Sequence, residues 1–142
     1  MKHNHMLTIT SLLSILFSAF HITDDIVHGI APGGLSNLTV VVFLVVWLYA
    51  MLVLAEGRSG YVVVLLLSLL ASAVPIVHMN GASGITAGIS NPSGAFFFAW
   101  TLLALEVTAV FSVILSVRGL WSLRRSQPAA EVPPLTGEPA RL

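Results

Sequence analysis

Four long apolar runs, Met6 to Thr23, Leu38 to Ala55, Tyr61 to Met79 and Ala95 to Val117, contain between them only one Asp, Glu, Lys or Arg, namely Glu106. Roughly 20 residues of helix cross about 30 Å of hydrocarbon, so each run is close to that length or beyond it. A transmembrane strand needs only about 9 to 11 residues and alternates apolar with polar side chains. The stretch from Thr39 to Trp47 does not alternate. Only 8% of the 142 residues are charged, where soluble domains carry roughly 25%. The expectation is an all-α membrane protein: a four-helix bundle within residues 1–125, with spans at about 6–28, 38–55, 61–79 and 95–117.

A basic residue, Lys2, precedes the first run, as in a signal peptide. Cleavage would need small residues where Phe17 and Phe20 stand, however, so the first run is read as a retained span. Lys2, Arg58 in the turn between the second and third runs, and Arg118, Arg124 and Arg125 after the fourth all fall on one side. The connections Gly29 to Asn37 and Asn80 to Gly94 carry no Lys or Arg. The positive-inside rule then puts both termini in the cytoplasm, in a membrane of bacterial inner-membrane type. Residues 126–142, with Pro128, Pro133, Pro134 and Pro139, read as a disordered cytoplasmic tail. Cysteine is absent, which excludes disulfides and thiolate metal sites. The basic residues are scattered and not interleaved with aromatics, so nucleic-acid binding has no support.

At the outer end of the first span lies His21-Ile22-Thr23-Asp24-Asp25-Ile26-Val27-His28. Gly29 is a natural helix cap and Pro32-Gly33-Gly34 cannot continue the helix, so helix 1 is expected to reach His28. At about 100° per residue, Asp24, Asp25 and His28 lie roughly −60°, +40° and −20° from His21, on one face. The same face continues inward through Ser18, Phe17, Ser14 and Thr10, and a polar stripe belongs inside a bundle. The third span, with Ser68, Ala71 and Ser72, offers a small-residue surface for it to face. His78 leaves that span near the depth of His21 and Asp25. Glu106 sits mid-span in the fourth run, about a turn deeper than His21.

Several chemistries fit these residues. His21 with Asp25, and Asp24 with His28, are i,i+4 pairs that can present two ligands to one ion, and His78 would complete a metal set of His21, Asp25 and His78. Imidazole and carboxylate suit zinc or iron. A purely structural alternative has Asp24, Asp25 and His28 hydrated at the hydrocarbon edge, where they end the span, and His21 satisfied by Ser18 or a carbonyl. Proton-coupled transport through Glu106, His21 and Asp24 is a further alternative, and would call for a homodimer. Others are a b-type haem between His21 and His78, where the neighbouring carboxylates fit poorly, and a stripe that binds another membrane protein.

Smaller features carry less. Met1-Lys2-His3 has the make-up of a copper(II) or nickel(II) terminus, but on the cytoplasmic side. Trp100, Trp121 and Tyr61 read as interface anchors, and Trp47 as packing or lipid contact. The Gly-rich connection from Asn80 to Gly94 is either a lid or a plain connector.

Phe20 to Val27, Pro32 to Asn37, Val74-Pro75-Ile76-Val77-His78-Met79 and Phe96-Phe97-Phe98-Ala99-Trp100 together resemble segments of small bacterial membrane proteins with four spans. That resemblance implies the architecture and no activity. The functional expectation is a non-enzymatic membrane protein that binds an ion, small ligand or partner through an outward-facing His/Asp cluster. A metal-dependent membrane enzyme is the alternative.

Overall fold

The computed structural model describes residues 5–29, 31, 33–54, 57–80 and 92–125. The expected tail at 126–142, most of the Gly-rich connection and the Met1-Lys2-His3 terminus lie outside the described residues. Those described form helices α1 (His5–Val27), α2 (Leu38–Leu52), α3 (Arg58–Ser72), α4 (Val74–Asn80) and α5 (Pro92–Arg125), with a 3-10 turn, Leu35–Asn37, leading into α2. No strand occurs among them. Three segments are long and apolar enough to cross a membrane: His5–Val27, Arg58–His78 (α3 with part of α4) and Gly94–Arg125. The remaining one, α2, is shorter than the apolar run that contains it, because its helix ends at Leu52 and Val53 caps it through a bond to the Tyr49 carbonyl.

Local chemistry sets the other ends. Gly29 adopts φ 71°, the left-handed conformation that glycine takes without a Cβ clash, and its amide donates to the Ile26 carbonyl at 3.2 Å. Pro75 has no N–H to continue the ladder and its ring crowds the carbonyl four residues back, at Ala71. The helix accordingly breaks at Ala73, and Pro75 falls in the first turn of α4, where a missing donor costs little.

α5 is the central element, with α1 packed along one side of it and α3 along another. The sequence reading set α1 against the third span; the polar stripe of α1 instead runs chiefly along α5. The reason is that α5 carries its own row of small and polar residues, Thr101, Ala109, Ser112 and Ser116, all buried, which lets the backbones approach. Near the other end of α5, Gly119 lies so close to the Tyr61 ring that a Cβ there would overlap it.

The buried apolar cluster combines Leu7 of α1, Trp47, Ala50 and Met51 of α2, Val64, Leu67 and Ala71 of α3, and Leu105 and Ala109 of α5. Large apolar side chains such as Val42, Leu66, Phe96, Phe111 and Ile114 point outward and are exposed. A water-soluble monomer rarely displays so much apolar surface, whereas hydrocarbon covers it at no cost.

Candidate functional site

Ser, Thr, His and Asp recur along α1 at helical spacing, so the helix turns one polar edge toward its neighbours. At the end near Val27 that edge meets α4 and the first turns of α5. His21 is 3% exposed, Asp24 8% and Asp25 5%. The purely structural alternative had both aspartates hydrated at the hydrocarbon edge. The structure buries them, because depth along one helix takes no account of the neighbours that cover its end.

Three of the expected site residues come together. A ligand atom from each of His21, Asp25 and His78 lies within 4.8 Å of the other two. Asp25 Oδ2 is 3.2 Å from His78 Nε2 and 3.8 Å from His21 Nε2. The two imidazoles stand edge to face with centroids 4.8 Å apart, and Phe98, 2% exposed, packs against both. That separation is smaller than two imidazoles on opposite faces of one haem iron would show, so a porphyrin does not fit between them.

The outer nitrogens fix the protonation pattern. His78 Nδ1 lies 2.9 Å from the Val74 carbonyl, which can only accept, so Nδ1 carries the proton. His21 Nδ1 faces the Thr101 hydroxyl at 3.4 Å. That hydroxyl already donates to the carbonyl of Phe97 or Phe98, at 2.9 and 3.1 Å, so it accepts from His21. With each ring's single proton on Nδ1, Nε2 is left as an acceptor. Two imidazole nitrogens and a carboxylate oxygen converge in a buried space.

The remaining candidates fall elsewhere. Asp24 and His28 pair with each other, with His28 Nδ1 3.2 Å from Asp24 Oδ1 and 2.9 Å from the Asp24 carbonyl. Gly94 of α5 sits against the His28 ring, and a Cβ there would come within 2.6 Å of Nε2. Glu106 is not among the converging residues. It lies five residues beyond Thr101 on α5, about 7.5 Å along the axis and roughly 140° round. Its Oε2 is buried and has no hydrogen-bond partner among the described residues. Thr101 and Phe98, which hold the histidines in place, were not singled out from sequence. Their signal was present in α5, where Phe98, Thr101, Leu105, Ala109, Ser112 and Ser116 repeat at intervals of three and four.

Beside the cluster lies a half-open cavity of about 380 Å³, lined by α1, α2, α3 and α4 with Leu105 of α5. His21, Asp25 and His78 border one end of it, and the wall is almost wholly apolar, including Phe43, Leu44, Leu70 and Val77. Trp47 also lines it and buries an indole N–H without a hydrogen-bond partner among the described residues. Comparison with family models, curated proteins and solved structures finds no match for the chain.

Proposed function

We propose that this chain is a polytopic membrane protein that holds a divalent zinc or iron ion between α1 and α4, ligated by His21 Nε2, Asp25 and His78 Nε2. The observation that carries the reading is the convergence of three acceptors. Nε2 of His78 and Oδ2 of Asp25 face each other at 3.2 Å, and with one His78 ring proton committed to Val74 a further proton or a cation must lie between them. A single proton would satisfy that contact and leave His21 Nε2 and Asp25 Oδ1, both buried, without a hydrogen-bond partner among the described residues. A metal ion engages both histidines and the carboxylate at once.

The geometry is close to what an ion needs. Bonds of about 2.0–2.1 Å in a tetrahedron put ligand atoms roughly 3.3 Å apart. The separations here, 3.2 and 3.8 Å to Asp25 Oδ2 and within 4.8 Å overall, lie within about 1.5 Å of that value. The supporting contacts also match: metal-bound histidines donate their other N–H to a carbonyl or similar acceptor, as His78 does to Val74 and His21 to Thr101. Two histidines and one carboxylate are a donor set of both catalytic zinc and non-haem iron(II).

The reading includes four crossings of a bacterial inner membrane, both termini in the cytoplasm and the ion near the outer face. The 3-10 turn and α2 together cover about 28 Å, which supports a fourth crossing. α5 is about 51 Å long and carries Arg118, Arg124 and Arg125 beyond the hydrocarbon at one end, which supports placing that end inside. Arg125 stacks on Trp121 there, its guanidinium 3.6 Å from the ring centroid.

Elemental analysis of protein purified in detergent tests the metal. One zinc or iron per chain is expected in the native protein and none in His78→Ala; a native protein that neither retains nor takes up metal overturns the reading. Topology is tested by labelling Leu35→Cys, which introduces the chain's only thiol. Reaction from the outer side is expected, and reaction from the cytoplasmic side alone overturns the orientation.

A further inference from the structure

Three protein ligands leave at least one coordination position open on zinc or iron, and the cluster borders one end of the apolar cavity. We infer that this cavity is a binding site for a single-chain fatty-acyl amphiphile, whose anionic oxygen head takes the open position on the ion and whose chain lies along α2. The inference rests on the metal reading above and adds to it the class of ligand.

Charge selects the head group. A divalent ion with one carboxylate and two neutral imidazoles carries a net +1, in a site where His21 and Asp25 are almost fully buried. A lone charge in such surroundings is costly. Asp24 does not offset it by contact, since its carboxylate is turned to His28. A monoanionic oxygen donor brings the site to neutrality, whether the head of an amphiphile or the hydroxide left when bound water loses a proton, whereas a neutral alcohol does not.

Shape selects the tail. Ser18, His21, Ile22 and Asp25 on α1 and Val40, Phe43, Leu44 and Trp47 on α2 follow helical spacing down the wall, so the cavity extends about 10 Å along each helix. Because α2 returns alongside α1, Val40 lies near the Asp25 end and Trp47 at the far end. Between them the wall offers no polar group except Ser18 and the indole N–H of Trp47. The volume of about 380 Å³ falls within the roughly 300–1,000 Å³ of small-molecule sites. It has room for one chain of moderate length.

Hydroxamates, which bind open metal positions through anionic oxygen, serve as probes, and cobalt(II) loaded in place of the native metal gives visible bands that report coordination. Acetohydroxamate and octanohydroxamate are titrated into cobalt-loaded native protein and into two cavity-filling variants, Leu44→Trp and Ala71→Leu. Both probes are expected to perturb the cobalt bands of the native protein. In each variant the affinity for octanohydroxamate falls at least about tenfold, since several methylenes lose their place at about 0.8 kcal/mol each, while that for acetohydroxamate and the cobalt stoichiometry hold. Chain partitioning into detergent is common to all three proteins and cancels in the ratio of the two affinities. An unchanged ratio overturns the cavity as the chain site. Band shifts absent with both probes overturn the open position, and failure of the native protein to take up cobalt overturns the metal reading itself. If one variant does not load cobalt, the other carries the comparison. If neither loads, chains of increasing length decide it in the native protein: a preference no steeper than partition into protein-free micelles overturns the proposal.

Discussion

α1 carries two polar regions of similar look in sequence and opposite chemistry. Around Thr10, Ser11 and Ser14 every hydroxyl proton is spent. Ser11 Oγ donates to Ser112 Oγ at 3.3 Å, Ser112 to Thr10 Oγ1 at 3.1 Å, Thr10 to the Met6 carbonyl at 2.9 Å, and Ser14 to the Thr10 carbonyl at 2.9 Å. The chain of donors closes on backbone carbonyls and needs nothing from outside. Two turns on, His21, Asp25 and His78 converge, and His21 Nε2 and Asp25 Oδ1 have no hydrogen-bond partner among the described residues. A buried polar stripe in a membrane helix is therefore not by itself a site. What separates glue from site is the balance of donors and acceptors.

The sharpest way to break this contrast is to remove a ligand. His78→Ala should lower zinc affinity at least about 100-fold, beyond the 10–100-fold typical of losing only a supporting contact, as read by competition with a chromogenic chelator. Wild-type affinity in that variant would place the ion elsewhere. Asp25→Asn keeps the shape and deletes the charge, so the increase in melting temperature on adding zinc should vanish, while the metal-free protein melts at or above the wild-type temperature because a buried carboxylate without full partners is gone. A metal-free variant that melts well below wild type would show that Asp25 serves the fold. Thr101→Val removes the acceptor for His21 Nδ1–H and should weaken zinc by about 10- to 100-fold with ligands intact; unchanged affinity would detach Thr101 from the site. Ser112→Ala is the control in the other region. It should cost about 0.6–1.7 kcal/mol, the range for hydrogen bonds between membrane helices, and leave zinc binding as it was. Altered metal affinity there would mean the two regions are coupled.

The sequence reached some of this and stopped for physical reasons. Helices follow from run length and absence of charge, and Gly29 and Pro75 announced an end and a break. His21, Asp25 and His78 were readable as a group because i,i+4 spacing fixes two of them on one face and counting residues from the span ends fixes the depth of the third. Partner choice was not readable in the same way: hydropathy says that a helix is buried in lipid or protein but not which neighbour it meets, so α1 was set against the third span and not α5. The burial of Asp24 and Asp25 was missed for a related cause. A slab of hydrocarbon predicts hydration at its edge, and only the first turns of α5 and the fold of α4 show that protein covers it. The cavity was beyond reach altogether, since a void is a property of four walls at once.

The order of the residues along the chain has its own consequence. His21 and Asp25 belong to α1 and His78 to α4, 53 residues after Asp25, while Thr101, which orients His21, comes last, on α5. During synthesis the first helical hairpin can insert with its carboxylate waiting; the set closes only when the break at Ala73 and the short α4 have followed, and it stiffens only when α5 arrives. A cation held between α1 and α4 would tie the start of the chain to its middle before the last helix is in place.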